Sequence, residues 1–249
     1  VDEVFDRVVV IGHRGASISA PENTLPAFAM ALAAGADGFE LDYRHSCDGV
    51  PIAFHDPQLD RTTNACRLWG GSRISTASKT VAELRRLDAG AWFSADFSCT
   101  KIPTLQESLD ALPPGAFAML ERKAGDPSTL IDLLTRHRAK EQVVVAAFDW
   151  SFVAECRRRA PDLPLGFVGQ GAVSPARLRA MADVDVRFVA WNCADLDATT
   201  IADIRDLGLS VWSWTIDDPD LARRLVAAGV TGIITNDPRT MATVLKGRV

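Results

Sequence analysis

VVVIGHRGASISAPENTLPAF, residues 8–28, decides the fold: a β-branched run enters a glycine-bracketed turn, and the turn opens into a capped helix. Val8 to Ile11 are uninterrupted and apolar, the pattern of a strand buried on both faces of a parallel sheet. Gly12 and Gly15 flank His13 and Arg14 and let the backbone turn sharply and come close to a ligand. Pro21-Glu22-Asn23-Thr24 then opens a helix carrying Leu25, Phe28, Ala29 and Leu32. The unit predicts chemistry at the end of its strand; the plainer alternative is an ordinary strand-to-helix loop with a structural histidine.

Downstream, Asp37–Tyr43 reads as a second strand with Phe39, Leu41 and Tyr43 on one face and Glu40 and Asp42 on the other. Asp48-Gly49 is a hairpin signal, and Val50–Phe54 returns to deliver His55-Asp56. Residues 57–102 break the rhythm and read as an insertion, with a short helix at Val81–Leu87 and a small satellite core expected from Trp69, Trp92, Phe93 and Phe97. Thr104 caps a helix running through Leu112, and Ala116–Glu121 forms the third strand. Further strands near 142–147, 164–168, 187–191, 209–214 and 231–235 alternate with helices near 128–139, 150–159, 174–183, 198–206 and 218–228, and a last helix follows Pro238. Eight strands, almost every one followed by a helix, predict an α/β fold: a (β/α)8 TIM barrel, one domain over residues 1–249, with the inserted small region 57–102 after strand two.

Composition fits one large domain: 249 residues at 47% hydrophobic content bury a sizeable core. A net charge of -5 and a pI near 5.4 give no general attraction to nucleic acid or anionic lipid. Cysteines at 47, 66, 99, 156 and 193 show no C-x-x-C spacing, so zinc-ribbon and redox motifs are excluded and free thiols are expected. No stretch reaches the roughly 18 apolar residues of a membrane span, and VDEVFDR is acidic where a signal peptide is basic. The expected setting is cytoplasmic, with a small-molecule substrate and no stable membrane insertion.

A barrel of this kind gathers its chemistry at the C-terminal ends of the strands. His13 ends strand one, Glu40 and Asp42 strand two, Glu121 and Lys123 strand three, Trp214 strand seven and Asn236 strand eight, while His55 follows the hairpin. Carboxylates crowded in a dry mouth must be protonated, paired with cations or held by a metal. An oxygen-only set suits Mg2+ or Ca2+ better than Zn2+; the alternative is that Glu40 and Asp42 simply pair with Arg14 and Lys123. Two histidines flanking such a site suit a general acid and base on opposite sides of a displacement at phosphorus. Arg14, Lys123 and the metal would then stabilise the phosphate charge. His137, in the polar RHRAK run, and His45, expected beyond the strand in the hairpin, read as surface or structural.

Eight ordered pieces resemble the glycerophosphodiester phosphodiesterases: His13-Arg14-Gly15, Pro21-Glu22-Asn23-Thr24, Glu40-Leu41-Asp42, His55-Asp56, Asp60-Arg61-Thr62-Thr63, Ile102-Pro103-Thr104-Leu105, Glu121-x-Lys123 and Gly229-x-x-Gly232-Ile233-Ile234-Thr235. The resemblance implies cleavage of glycerophosphodiesters to glycerol 3-phosphate and an alcohol with a divalent cation. It implies His13 and His55 as the acid/base pair, Glu40, Asp42 and Glu121 as metal ligands, Arg14 and Lys123 on the phosphate, and Trp214 against the glycerol or leaving group. It also implies attack by the substrate's own 2-hydroxyl through a cyclic phosphate. Asp217 and Asn236 stand where the family often has Asn and Asp, which points them at the distal head group. Arg122 replaces an apolar residue between Glu121 and Lys123, so either the strand ends there or Arg122 is paired. Ala65-Cys66 replaces glycines common after the Arg-Thr-Thr run. Two other readings stay open: a phospholipase D-like enzyme acting on lysophospholipids or sphingomyelin, and a catalytically silent barrel that binds phosphodiesters.

Overall fold

The β-branched run forms strand β1 (Val9–Gly12), buried throughout, and Thr24 caps the following helix, α1 (Leu25–Ala33), by accepting the Ala27 N–H. The computed structural model describes residues 1–247. Strand β2 (Gly38–His45) and its antiparallel partner β3 (Pro51–Ala53) lead to short helices α2 (Ala65–Trp69) and α3 (Val81–Leu84), then to α4 (Leu105–Asp110). Strand and helix alternate from there: β4 (Phe117–Arg122), α5 (Pro127–Arg136), β5 (Val143–Ala147), α6 (Trp150–Arg159), β6 (Leu165–Gly169), α7 (Pro175–Asp183), β7 (Phe188–Asn192), α8 (Ala198–Arg205), β8 (Ser210–Trp214), α9 (Pro219–Ala228), β9 (Gly232–Thr235) and α10 (Pro238–Lys246). Helices α5, α7, α9 and α10 start at Asp126-Pro127, Ser174-Pro175, Asp218-Pro219 and Asp237-Pro238. In each, the cap side chain accepts a first-turn N–H and proline sits where no intrahelical donor is needed.

β1 pairs in parallel with β2 on one side and β9 on the other, so among the described residues eight parallel strands close into a barrel. The expected (β/α)8 architecture is therefore present, and β3 lies along the edge of β2 beyond the end of β1, with Tyr43 opposite Ala53. Alternate strand residues divide the core in two. Val10, Phe39, Leu41, Leu120 and Val145 point outward under the helices, while Val9, Ile11, Phe117, Met119, Val144 and Ile234 fill the barrel. Its floor is aromatic: Phe188 stacks on Trp212 at 4.1 Å between centroids, and Phe5, from the N-terminal turn Asp2–Phe5, closes over Trp212 at 5.7 Å. Gly232 makes room for that stack, since a Cβ there would sit 2.3 Å from the Trp212 ring. With the floor packed by rings, polar groups have only the opposite rim to occupy.

Several expectations change in detail. β2 runs to His45, so His45 ends a strand instead of lying in the hairpin, and its ring packs where a side chain on Gly125 would otherwise stand. Helix α3 stops at Leu84, although Leu87 stays buried. The core under residues 57–102 is mainly aliphatic, built from Ile52, Leu59, Leu84, Leu87 and Ile102 around the single buried ring of Phe54, with Trp69 at its margin. Trp92, Phe93 and Phe97 are outside it and pack edge-to-face on one another, so they do not form the expected satellite core. Hydrophobicity alone does not distinguish rings that cluster at the surface from the smaller side chains that fill a narrow gap. All five cysteines are free. Among the described residues no helix is long and apolar enough to cross a membrane.

Candidate active site

The loop after β1 is folded tightly enough that its backbone becomes part of the site. Arg14 and Asn23 adopt φ of 57° and 56°, and Gly15 one of 87°. A Cβ on Gly15 would lie 2.5 Å from the Ala27 carbonyl carbon, so glycine is required by both conformation and contact. The fold-back aims the Arg14 N–H at Glu40 Oε2, 2.8 Å away. It also sets the Asn23 amide against Asp42, donating to Oδ2 at 2.9 Å and accepting the Asp42 N–H at 3.0 Å.

Glu40 and Asp42 share the inward face of β2, and Asp42 is in register with Glu121 on β4, so one oxygen from each carboxylate lies within 4.8 Å of the others. Arg14 Nε and Lys123 Nζ each stand 3.2 Å from Asp42, and Lys123 also donates to Glu121. Three carboxylates against two cations leave an excess negative charge. Burial raises all three, but Lys123 and Arg14 overcome it at Asp42, which is held at about 2. At Glu121 burial and the neighbouring Asp42 outweigh Lys123 and lift it to about 7. Glu40 is pushed well above the carboxylate range by burial, with Asp42 and Glu121 adding to it. Glu40 Oε1 is buried and accepts no hydrogen bond. An orphaned oxygen in an oxygen-only cluster with excess charge fits a hard divalent cation.

The two histidines are held differently. His13 Nδ1 lies 2.8 Å from Asn236 Oδ1, while Asn236 Nδ2 donates to Asp217 at 2.6 Å and Ser17 donates to the same Oδ1. With the amide oriented by Asp217, its oxygen faces the ring; neutral His13 carries its proton on Nδ1 and leaves Nε2 unprotonated. Burial and then the adjacent Arg14 lower the His13 pKa. His55 Nδ1 instead meets a carboxylate, Asp56 Oδ1 at 2.7 Å. Burial comes first in lowering His55 too, with Asp42 and Asp56 opposing it and Arg14 and Lys123 adding to it.

His13, Arg14, Glu40, His55, Glu121, Lys123 and Trp214 line one cavity of about 240 Å³, floored by Met119 and Ile234. Asp42 lies behind the wall, and Asn236 sits behind His13, its amide engaged with His13, Ser17 and Asp217. Phe148 completes the lining; it follows β5, packs edge-on to Trp214 at 5.8 Å and is 43% exposed. An aromatic after an apolar run carries no polar signal in a sequence, and the clue to Phe148 is its place one residue beyond the end of β5. No residue of 57–102 lines this cavity. Arg122 both ends β4 and is paired, with Asp149 at 2.9 Å. His137 bonds Asp110 at 3.2 Å, away from the cavity, and His45 does not line it. A larger surface concavity of about 410 Å³, between Val1, α5 and α6, has Asp2, Glu141 and Asp162 in its lining, and among the described residues these do not gather into a cluster like that of Glu40, Asp42 and Glu121.

Residues 13–240 match the sequence profile of the glycerophosphoryl diester phosphodiesterase family. The chain belongs to that family. It is 31% identical to a glycerophosphodiester phosphodiesterase of Caldanaerobacter subterraneus subsp. tengcongensis, over 96% of this chain and 98% of the other. A phosphodiesterase of Oleispira antarctica, solved with its product sn-glycerol 3-phosphate, superposes with a TM-score of 0.88 at 27% identity, covering 96% and 97%. A glycerophosphodiester phosphodiesterase of Agrobacterium tumefaciens superposes with a TM-score of 0.81 at 28% identity, covering 95% and 99%. Membership makes the chain an enzyme of the phosphodiesterase class, and the matched span contains every cavity-lining residue from His13 to Ile234.

Proposed function

We propose that the chain hydrolyses glycerophosphodiesters to sn-glycerol 3-phosphate and an alcohol, with His13 and His55 exchanging protons and Glu40, Asp42 and Glu121 holding one divalent cation. The observation that carries this reading is the convergence of two imidazoles, a guanidinium, an ammonium and the acidic cluster on one cavity. The product bound to the Oleispira antarctica relative supports the same product class. When bound, Mg2+ or Ca2+ supplies charge neutralisation at a phosphoryl oxygen and acidifies the attacking hydroxyl.

Arg14 and Lys123 hold the phosphate oxygens and stabilise the charge that builds on them. Trp214 and Phe148 give the glycerol or the leaving alcohol an aromatic wall. Neutral His13, its Nδ1–H bound to Asn236, accepts the substrate 2-hydroxyl proton on Nε2. The 2-oxygen attacks phosphorus, the bond from phosphorus to the leaving oxygen breaks, and His55 protonates that oxygen. Water then opens the 1,2-cyclic phosphate, His55 taking its proton and His13 returning one to the 2-oxygen. An internal nucleophile suits a cavity whose lining offers no serine or cysteine.

The test is turnover of glycerophosphocholine, glycerophosphoethanolamine, glycerophosphoglycerol and lysophosphatidylcholine with Mg2+, Ca2+ or chelator, read by phosphorus NMR. Glycerol 3-phosphate from the first three, abolished by chelator, is expected. Preference for lysophosphatidylcholine would assign the phospholipase D-like reading instead, and binding without turnover a silent barrel. A 2-deoxy analogue should bind comparably yet react far more slowly, because intramolecular attack carries effective molarities of about 10⁵ M or more. A loss below about tenfold would indicate direct attack by water.

A further inference from the structure

Five charged or titratable side chains form a continuous chain around one side of the cavity. Arg14 donates to Glu22 at 2.8 Å, and Arg61 spans Glu22 and Asp56 with its whole fork. Its Nη1 and Nη2 each lie 2.7 Å from a Glu22 oxygen, its Nε 2.6 Å from Asp56 Oδ2 and its Nη2 3.1 Å from Asp56 Oδ1. That same Oδ1 is the one His55 Nδ1 meets at 2.7 Å. Arg61 therefore holds both Asp56 oxygens, the one that faces His55 included.

Burial works to raise both Glu22 and Asp56, and Arg61 together with Arg14 at Glu22 and with His55 at Asp56 outweighs it, so both are held below their usual range. An ionised Asp56 is acceptor-only, which keeps the His55 proton on Nδ1 whenever the ring is neutral. Arg61 is the contribution of residues 57–102 to this side of the site: the segment lines none of the cavity, yet its guanidinium grips the residues that orient Arg14 and His55. A planar five-donor fork is suited to two carboxylates at once, and a lysine is not.

We infer that Arg61 is a positioning residue that fixes the orientation and tautomer of His55 through Asp56 and of Arg14 through Glu22, so that seating of the 57–102 segment assembles the site. This rests on the reading above, in which His55 moves a proton. The test uses the full chain and two readouts, steady-state kinetics on glycerophosphocholine and the nitrogen NMR spectrum of labelled His55. Arg61→Ala should lower kcat by about tenfold or more with KM changed by less than about threefold, and should convert His55 from the Nδ1-protonated form to a mixture. Millimolar guanidinium should restore part of the rate, since Arg61 is half exposed. Arg85→Ala, which removes a comparable ion pair between the segment and Glu107 of α4, should leave kcat within about twofold. If Arg61→Ala fails to fold, Arg61→Lys, which keeps the charge and loses the double fork, is held to the same readouts. An unchanged His55 spectrum with kcat within about twofold overturns the inference, as does an equal loss in Arg85→Ala. Should the wild-type chain hydrolyse no glycerophosphodiester, the functional reading fails while the His55 spectrum still decides the role of Arg61.

Discussion

His13 and His55 are the same residue type at the same rim, and what separates them is the group behind each ring. A neutral amide stands behind His13 and a carboxylate behind His55, so the two rings are held for opposite proton transfers within each step. His13→Ala and His55→Ala should each lower kcat by about 10²-fold or more with little change in melting temperature, since each removes a proton-transfer partner and no core packing. His137→Ala, which loses only a bond to Asp110 and an acceptor for the Ala139 N–H, should stay near wild-type turnover. Steady-state kinetics and a melting curve on the three variants check this sorting; an equal loss in His137→Ala defeats it. The histidines, carboxylates and cations were legible in sequence because each follows or ends an apolar run. Their partners Glu22, Asp56, Arg61 and Asp217 were visible only as motif letters. Which oxygen faces which nitrogen depends on backbone turns such as the positive φ at Arg14 and Asn23, and no periodicity encodes these.

At the scale of elements, the strands were readable as short apolar runs such as Val8–Ile11, because a barrel strand buried on both faces leaves few interpretations. Element ends were less so: β2 outran its expected end at Tyr43 since β3 continues to supply backbone partners through His45. Gly232 belongs to a motif read as a family mark, and its physical reason is the indole of Trp212. Gly232→Ala should therefore destabilise the protein by about 1–3 kcal/mol through overpacking, with KM nearly unchanged because the clash lies in the barrel floor. Urea unfolding monitored by tryptophan fluorescence is the measurement. A variant as stable as the wild type would mean that the floor yields more readily than the stacked rings at 4.1 Å suggest.

Across the whole molecule, an aromatic floor and an acidic rim share one barrel, and the rim is destabilising unless its charge is compensated. Glu40 and Glu121 are held above their ordinary values, so the folded chain binds protons there more tightly than the unfolded chain. Without metal, that part of the stability is present at low pH and is lost as pH rises from the unfolded value of about 4.3 toward the folded ones. A cation at the cluster must displace those protons, so its affinity should strengthen as pH rises through about 7, the value at which Glu121 titrates. Calorimetry in two buffers of different ionisation enthalpy should count proton release on binding Mg2+ or Ca2+, with more released at pH 6 than at pH 8. At a hundredfold excess over Kd the ion should add about 2.7 kcal/mol, or roughly 5–10 °C in Tm for a chain of this size. Glu40→Gln keeps an oxygen for the Arg14 N–H and removes a carboxyl whose ionised form burial and the neighbouring Asp42 and Glu121 disfavour, so the metal-free protein should melt no lower than the wild type does. The metal-induced rise in Tm should fall away in the same variant. A rise of wild-type size in both Glu40→Gln and Glu121→Gln would place the ion elsewhere and remove the cluster from the reaction.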